Sequence, residues 1–238
     1  MRTVIGPPFS QVSFGLVSAA VAPPSWSALS APFDQIDTGS NPATYAITAV
    51  PAGTTRVLLV GIGQTSWSTA PTINSISMTS DAFISITGVR DLKIWGIDCV
   101  ANPSVIGQTS VIVTHSGSNN IFYGRFFALS GTSGGPKSVV QDNNGNANAS
   151  GSYLSAALTT GVAAGNLAFM TGFSFNQQSD FAVSPTESAG AGNTLSSVGW
   201  NRGAIVAQTI VSASGSFAYF ETFTGNNIPG IAAAVYGA

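Results

Sequence analysis

Residues 89–131, VRDLKIWGIDCVANPSVIGQTSVIVTHSGSNNIFYGRFFALSG, hold three apolar runs rich in β-branched and aromatic side chains: Leu92 to Ile97, Ser110 to His115 and Ile121 to Leu129. Each run is bounded by Gly, Asn, Pro or Ser, the pattern of strands separated by turns. Asn102-Pro103 predicts a reversal, because the residue before proline is pushed out of the helical region, and Gly117-Ser118-Asn119-Asn120 supplies residues that tolerate positive φ. Three strands joined by two tight reversals predict an antiparallel meander.

The same reading extends in both directions. Tyr45 to Val50 alternates, and Pro51-Ala52-Gly53 turns. Arg56 to Ile62 is a continuous apolar run, as in a strand buried on both faces. Ile73, Ile76 and Met78, then Phe83, Ile84 and Ile86, suggest two more strands. Gly131 to Ser152 reads as a long polar loop and Asn166 to Phe175 as a strand. Thr194 to Gly199, Ala204 to Ala213, Ser216 to Phe223 and Ile231 to Tyr236 complete the set, with a reversal at Gly215. No segment has a capped helical period. The expectation is an all-β chain: an antiparallel two-sheet β-sandwich of jelly-roll type over residues 44–238.

Residues 1–43 differ in character. Pro7-Pro8, Pro23-Pro24, Pro32 and Pro42 interrupt them. A signal peptide is one reading of Arg2 followed by an apolar stretch ending in Ala20-Val21-Ala22, but Pro7-Pro8 lies where its helical region would begin. The expectation is instead an extended N-terminal arm whose Phe9, Phe14, Leu16, Trp26 and Phe33 need cover and mediate assembly on a neighbouring subunit.

Only 7% of the 238 residues are charged, against roughly 25% in an average soluble domain. A surface of hydroxyls, amides and small side chains has little charge repulsion to keep copies apart, which points to a homo-oligomer or larger assembly. Seven scattered basic residues and a net charge of −2 give no footprint for a phosphate backbone, so nucleic acid is not an expected partner. No apolar run approaches the roughly 18 residues of a membrane-spanning helix, so no membrane is expected either. Cys99 stands alone, which rules out an intrachain disulfide and reads as a small buried hydrophobe.

Candidate chemistry is sparse. Gly131-Thr132-Ser133-Gly134-Gly135 matches G-x-S-x-G, but Pro136 follows where a helix is required, and the sole histidine, His115, precedes the serine. One His and one Cys cannot make a tetrahedral zinc site, and Asp142-Asn143-Asn144-Gly145-Asn146 lacks the spaced ligands of a calcium loop. No cofactor, metal or catalytic set is expected. The nine carboxylates fall in no acid–base spacing, although a glycosidase needs only two that converge in space. Trp67 and Trp200 border loops and are the candidates for stacking on a glycan; Trp95 and Tyr123, inside strands, read as core.

Ile94-Trp95, Asn102-Pro103 with Gly107, Thr109 to Thr114 with Ser116-Gly117, Ala128-Leu129-Ser130-Gly131, Ala163 to Leu167 and the small-residue run Ile231 to Val235 form a hydrophobic frame. This frame resembles the jelly-roll, lectin-like β-sandwich modules of phage virion proteins and of some bacterial surface proteins. Gly96 departs from it, standing where a larger apolar residue is usual. The resemblance implies a non-enzymatic virion protein, most simply a capsid decoration, cement or head-fibre subunit whose partners are other virion proteins. The alternative is a tail or fibre protein that recognises a host surface glycan.

Overall fold

The computed structural model describes residues 22–37, 42–64, 67, 69–86, 90–114, 120–143, 149–154, 162–175, 196–200, 204–211 and 220–238. These are all-β. In chain order the strands are β1 (Ser25–Ala28), β2 (Phe33–Asp37), β3 (Ala43–Ala46), β4 (Arg56–Gln64), β5 (Thr72–Ile73), β6 (Ile76–Ser77), β7 (Thr79–Ile86) and β8 (Arg90–Asp98). They continue as β9 (Ser110–Val113), β10 (Asn120–Ser130), β11 (Ser138–Asn143), β12 (Ala149–Leu154), β13 (Leu167–Phe175), β14 (Ser196–Trp200), β15 (Ala204–Ile210) and β16 (Phe220–Tyr236). Among the described residues the only helical element is a single 3-10 turn, Pro103–Val105.

The strands form three antiparallel sheets. A central sheet runs β10-β4-β8-β7, with β1 and β2 both pairing the outer edge of β10. A small sheet runs β3-β9-β5-β6, and a third runs β11-β16-β13-β15-β14, with β12 also on β16. The sandwich therefore has a second sandwich on its back, and the central sheet serves both.

The sequence of β4 shows why. Val57, Leu58, Leu59 and Val60 are all fully buried, and neighbours along the strand point to opposite faces. Val57 and Leu59 join Trp95, Ile97, Phe122 and Phe126 against Tyr45, Val111 and Val113 of the small sheet. Leu58 and Val60 join Leu92, Ile94, Phe127 and Leu129 against Leu167, Phe169, Ala232, Ala234 and Tyr236 of the third sheet. A continuous apolar run is what a strand needs when both of its faces are covered.

The three opening strands exist, but they do not form the expected meander. β4 lies between β8 and β10, while β9 leaves for the small sheet. The reason is in the burial pattern. β9 alternates, with Val111 and Val113 buried and Ser110 and Ile112 exposed, so it suits an outer sheet; β8 is buried from Asp91 through Ile97 and suits the centre.

Further corrections concern the two regions expected to lack strands and the end of the chain. β11 and β12 occupy much of the stretch read as a polar loop, and both pair with β16. The last two expected strands are partly merged, since β16 runs unbroken through Pro229 and changes partner from β12 to β11 along its length. The second half of the expected arm folds back on its own chain. Ser25 to Ala28 pair with Ser130 to Phe127, and Phe33 to Asp37 pair with Gly124 to Asn120. Pro23-Pro24 and Pro32 flank these strands without interrupting them. Residues 1–21, with Phe9, Phe14 and Leu16, lie outside the described residues, as do His115 and the Gly215 turn.

Candidate functional site

Four charged side chains of the described region, Arg56, Asp81, Asp91 and Lys93, are gathered at two places inside the layers. The first is at the end of β4. β7 carries a bulge between Ser80 and Ala82, which leaves Asp81 as the extra residue and aims its carboxylate at Arg56. Arg56 Nε donates to Asp81 Oδ2 at 2.8 Å and Nη2 donates to Oδ1, a bidentate pair whose side chains are only 5% and 4% exposed. Tyr236, on β16 of the third sheet, donates its hydroxyl to Asp81 Oδ2 at 2.7 Å. The guanidinium also donates to Thr79 Oγ1 and to the Gly134 carbonyl, and Thr79 donates onward to the Gly96 carbonyl.

Gly96 makes room for this arrangement. A Cβ there would lie 2.5 Å from Arg56 Nη2 and closer still to Asp81 Oδ2 and Arg56 Nε. A larger residue was expected at position 96, and the glycine instead leaves the space that the ion pair occupies. Burial opposes the charge on Arg56, but the hydrogen bond and charge of Asp81 outweigh it and raise its pKa. Burial and the adjacent Asp81 carboxylate push the Tyr236 phenol well above its usual range. The group holds its protons firmly and links β4, β7 and β16.

The second place is on the opposite face of the central sheet. Asp91 and Lys93 grip the peptide of Trp67: its N–H donates to Asp91 Oδ2 at 2.9 Å, and its carbonyl accepts from Lys93 Nζ. The Lys93 ammonium lies 4.3 Å from the ring centre of Phe83 and 4.8 Å from that of Trp95. Burial lowers its pKa, with the Asp91 charge acting in the other direction.

Trp67 is therefore core. It is 2% exposed, its ring meets Phe122 at 4.7 Å and Trp95 at 5.8 Å, and a Cβ at Gly63 would come within 2.8 Å of it. Neither face of the indole is open to a sugar, which corrects the glycan-contact expectation for this residue. Trp200 falls on β14, the edge strand of the third sheet, and its side chain lies outside the described residues.

The arm residues that are described also have partners within the chain. Trp26 meets Phe127 edge-on at 5.8 Å, and Phe33 packs on Tyr45, Phe122 and Phe126 at 4.9 to 5.3 Å. Neither is a free adhesive side chain.

The Gly131–Pro136 loop is stitched down rather than poised. Thr132 Oγ1 and Thr55 Oγ1 are 2.7 Å apart, and the Ser133 N–H donates to the Gly237 carbonyl at 2.8 Å. Asp98 accepts from the N–H groups of Val100 and Ala101 and so shapes the turn that leads to Asn102-Pro103. The Cys99 thiol is 3% exposed, and burial pushes its pKa up to about 11, which suppresses the reactive thiolate. Among the described residues no three His, Cys, Asp or Glu side chains cluster as metal ligands. A crevice of about 110 Å³ between β1, the end of β10 and the Pro51–Thr54 turn is lined by Ser25, Ser27, Thr54 and Ser130 together with apolar residues such as Trp26 and Leu129, and the Ser25 and Ser130 hydroxyls bond each other at 2.7 Å.

Sequence reasoning missed the Arg56–Asp81–Tyr236 group, because its members are 25 and 155 residues apart in the chain. No family model, curated protein or solved structure matches this chain.

Proposed function

We propose that this chain is a non-enzymatic structural subunit of a phage virion, a capsid decoration, cement or head-fibre protein that works in association with other virion proteins and with copies of itself. One observation carries the reading. Arg56, Asp81, Asp91 and Lys93 are spent inside the layers on bonds that hold strands and a loop in place, and a chain with only 16 charged residues thereby keeps even fewer for its surface. Each carboxylate whose side chain is described, Asp81, Asp91 and Asp98, holds the chain's own structure. Such a surface offers adhesive area with little repulsion, at about 25 cal/mol per Å² of apolar area covered before ordering costs. The family resemblance supplies the virion.

The reading is tested on purified particles separated into heads and tails and analysed by mass spectrometry and immunogold labelling. High-copy signal on heads is expected; absence from particles refutes it. The alternative, a tail or fibre protein recognising host glycan, loses Trp67 and keeps Trp200. Signal confined to tails, with glycan-array binding that Trp200→Ala abolishes, would favour it.

A further inference from the structure

Among the described residues, the inner face of the third sheet carries two buried polar side chains among apolar ones. Leu167, Phe169 and Val206 point from that face into the core shared with the central sheet. Val206 is the register partner of Thr171, and Phe169 that of Gln208, so Thr171 and Gln208 share the face as diagonal neighbours on adjacent strands. Thr171 is fully buried and Gln208 is 1% exposed. The Thr171 hydroxyl and both ends of the Gln208 amide have no hydrogen-bond partner in the protein. Buried polar groups are nearly always partnered, and two such residues at diagonal positions on one face call for a shared ligand.

We propose that Thr171 and Gln208 form an internal water site between the central and third sheets. The chemistry fits water on both sides. The amide offers donors and an acceptor, the hydroxyl offers one donor and two lone pairs, and a buried water needs two to four such partners. The cross-strand partners of Phe169 and Thr171 on the other side, Ala234 and Ala232, have short side chains that compete for none of these bonds.

The test uses the full-length wild-type protein. Nuclear Overhauser transfer should connect the Gln208 side-chain NH₂ protons, assigned by their loss in Gln208→Met, to a water of long residence, and an atomic-resolution crystal structure should place that water within hydrogen-bonding distance of both residues. Thr171→Val should weaken or abolish the transfer while the amide remains visible. The proposal is overturned if the amide and hydroxyl bond directly to protein groups with no water between them, or if the Gln208 NH₂ protons show no transfer from water.

Discussion

Gly96→Ala tests whether the buried ion pair is a structural requirement of the fold. Gly96 is not in the left-handed region, so alanine incurs no backbone strain, and the whole effect comes from the added methyl group. That carbon would occupy the space of the Arg56–Asp81 contact, within 2.5 Å of Arg56 Nη2. Neither partner can swing into water, since both side chains are at most 5% exposed and each has other bonds to lose. Disrupting a buried pair of this kind costs about 3–5 kcal/mol. For a domain of this size each kcal/mol shifts the melting temperature by roughly 2–4 °C, which predicts a drop of about 6–20 °C. Thermal and urea denaturation followed by far-ultraviolet circular dichroism would measure it. A variant within about 0.5 kcal/mol of the parent, the range of an unremarkable surface substitution, would show that the pair is not held as described.

Tyr236→Phe removes the hydroxyl that bonds Asp81 and should cost about 1–3 kcal/mol, read as a lower urea midpoint at unchanged slope. Trp67→Ala should cost about 3–5 kcal/mol by emptying a core site, and glycan binding that survives this change in a still-folded protein would confirm that the indole is not a sugar platform. The Cys99 thiol sets a pH dependence: its pKa is 9.0 when exposed and about 11 when folded, so its stabilisation is complete below pH 9 and is lost as pH rises towards 11. The loss is on the order of 3 kcal/mol, and Cys99→Ala should flatten that part of the stability–pH curve. Deleting residues 1–21, which carry Phe9, Phe14 and Leu16, should leave the circular dichroism spectrum and melting temperature intact and impair incorporation into particles; normal incorporation would remove the assembly role of that segment.

The β character of the chain was legible because alternation and continuous apolar runs are local properties. Arg56 to Ile62 announced a strand covered on both faces, and β4 is one. Which strand lies beside which is not local, and the opening stretch illustrates this: its three strands were readable, yet β4, more than 25 residues upstream, separates two of them. The difference between β8 and β9 was present in the sequence as the one-sided pattern of Ser110 to Val113, and that pattern, not the turn, assigns β9 to the outer sheet. β11 and β12 were hidden by Ser, Asn and Gly, which disfavour strands until a partner such as β16 supplies the hydrogen bonds. The proline-flanked strands β1 and β2 looked like an arm for a related reason, since edge strands tolerate nearby proline and carry a weak pattern. For the internal charges the sequence held one trace, a glycine at position 96 where bulk was expected.

Burial on both faces creates a difficulty that these charges resolve. A strand with one wet face has its register set by alternation, because a slip of one residue turns its apolar set to water. In β4 a slip exchanges Val57 and Leu59 for Leu58 and Val60, and every position remains apolar. Hydrophobicity therefore cannot choose between registers. Arg56 can, because only one register brings its guanidinium to the bulged Asp81 beneath Tyr236, and any other leaves a buried charge without a partner. Asp91 and Lys93 do the same for β8, whose run from Leu92 to Ile97 is equally two-sided: they have to meet the Trp67 peptide. Gly96 adds a steric condition, since a shift would bring the side chain of Trp95 or Ile97 to the place the ion pair fills. Arg56, Asp81, Asp91 and Lys93 thus act where apolar packing is degenerate, fixing the central sheet on which both cores depend.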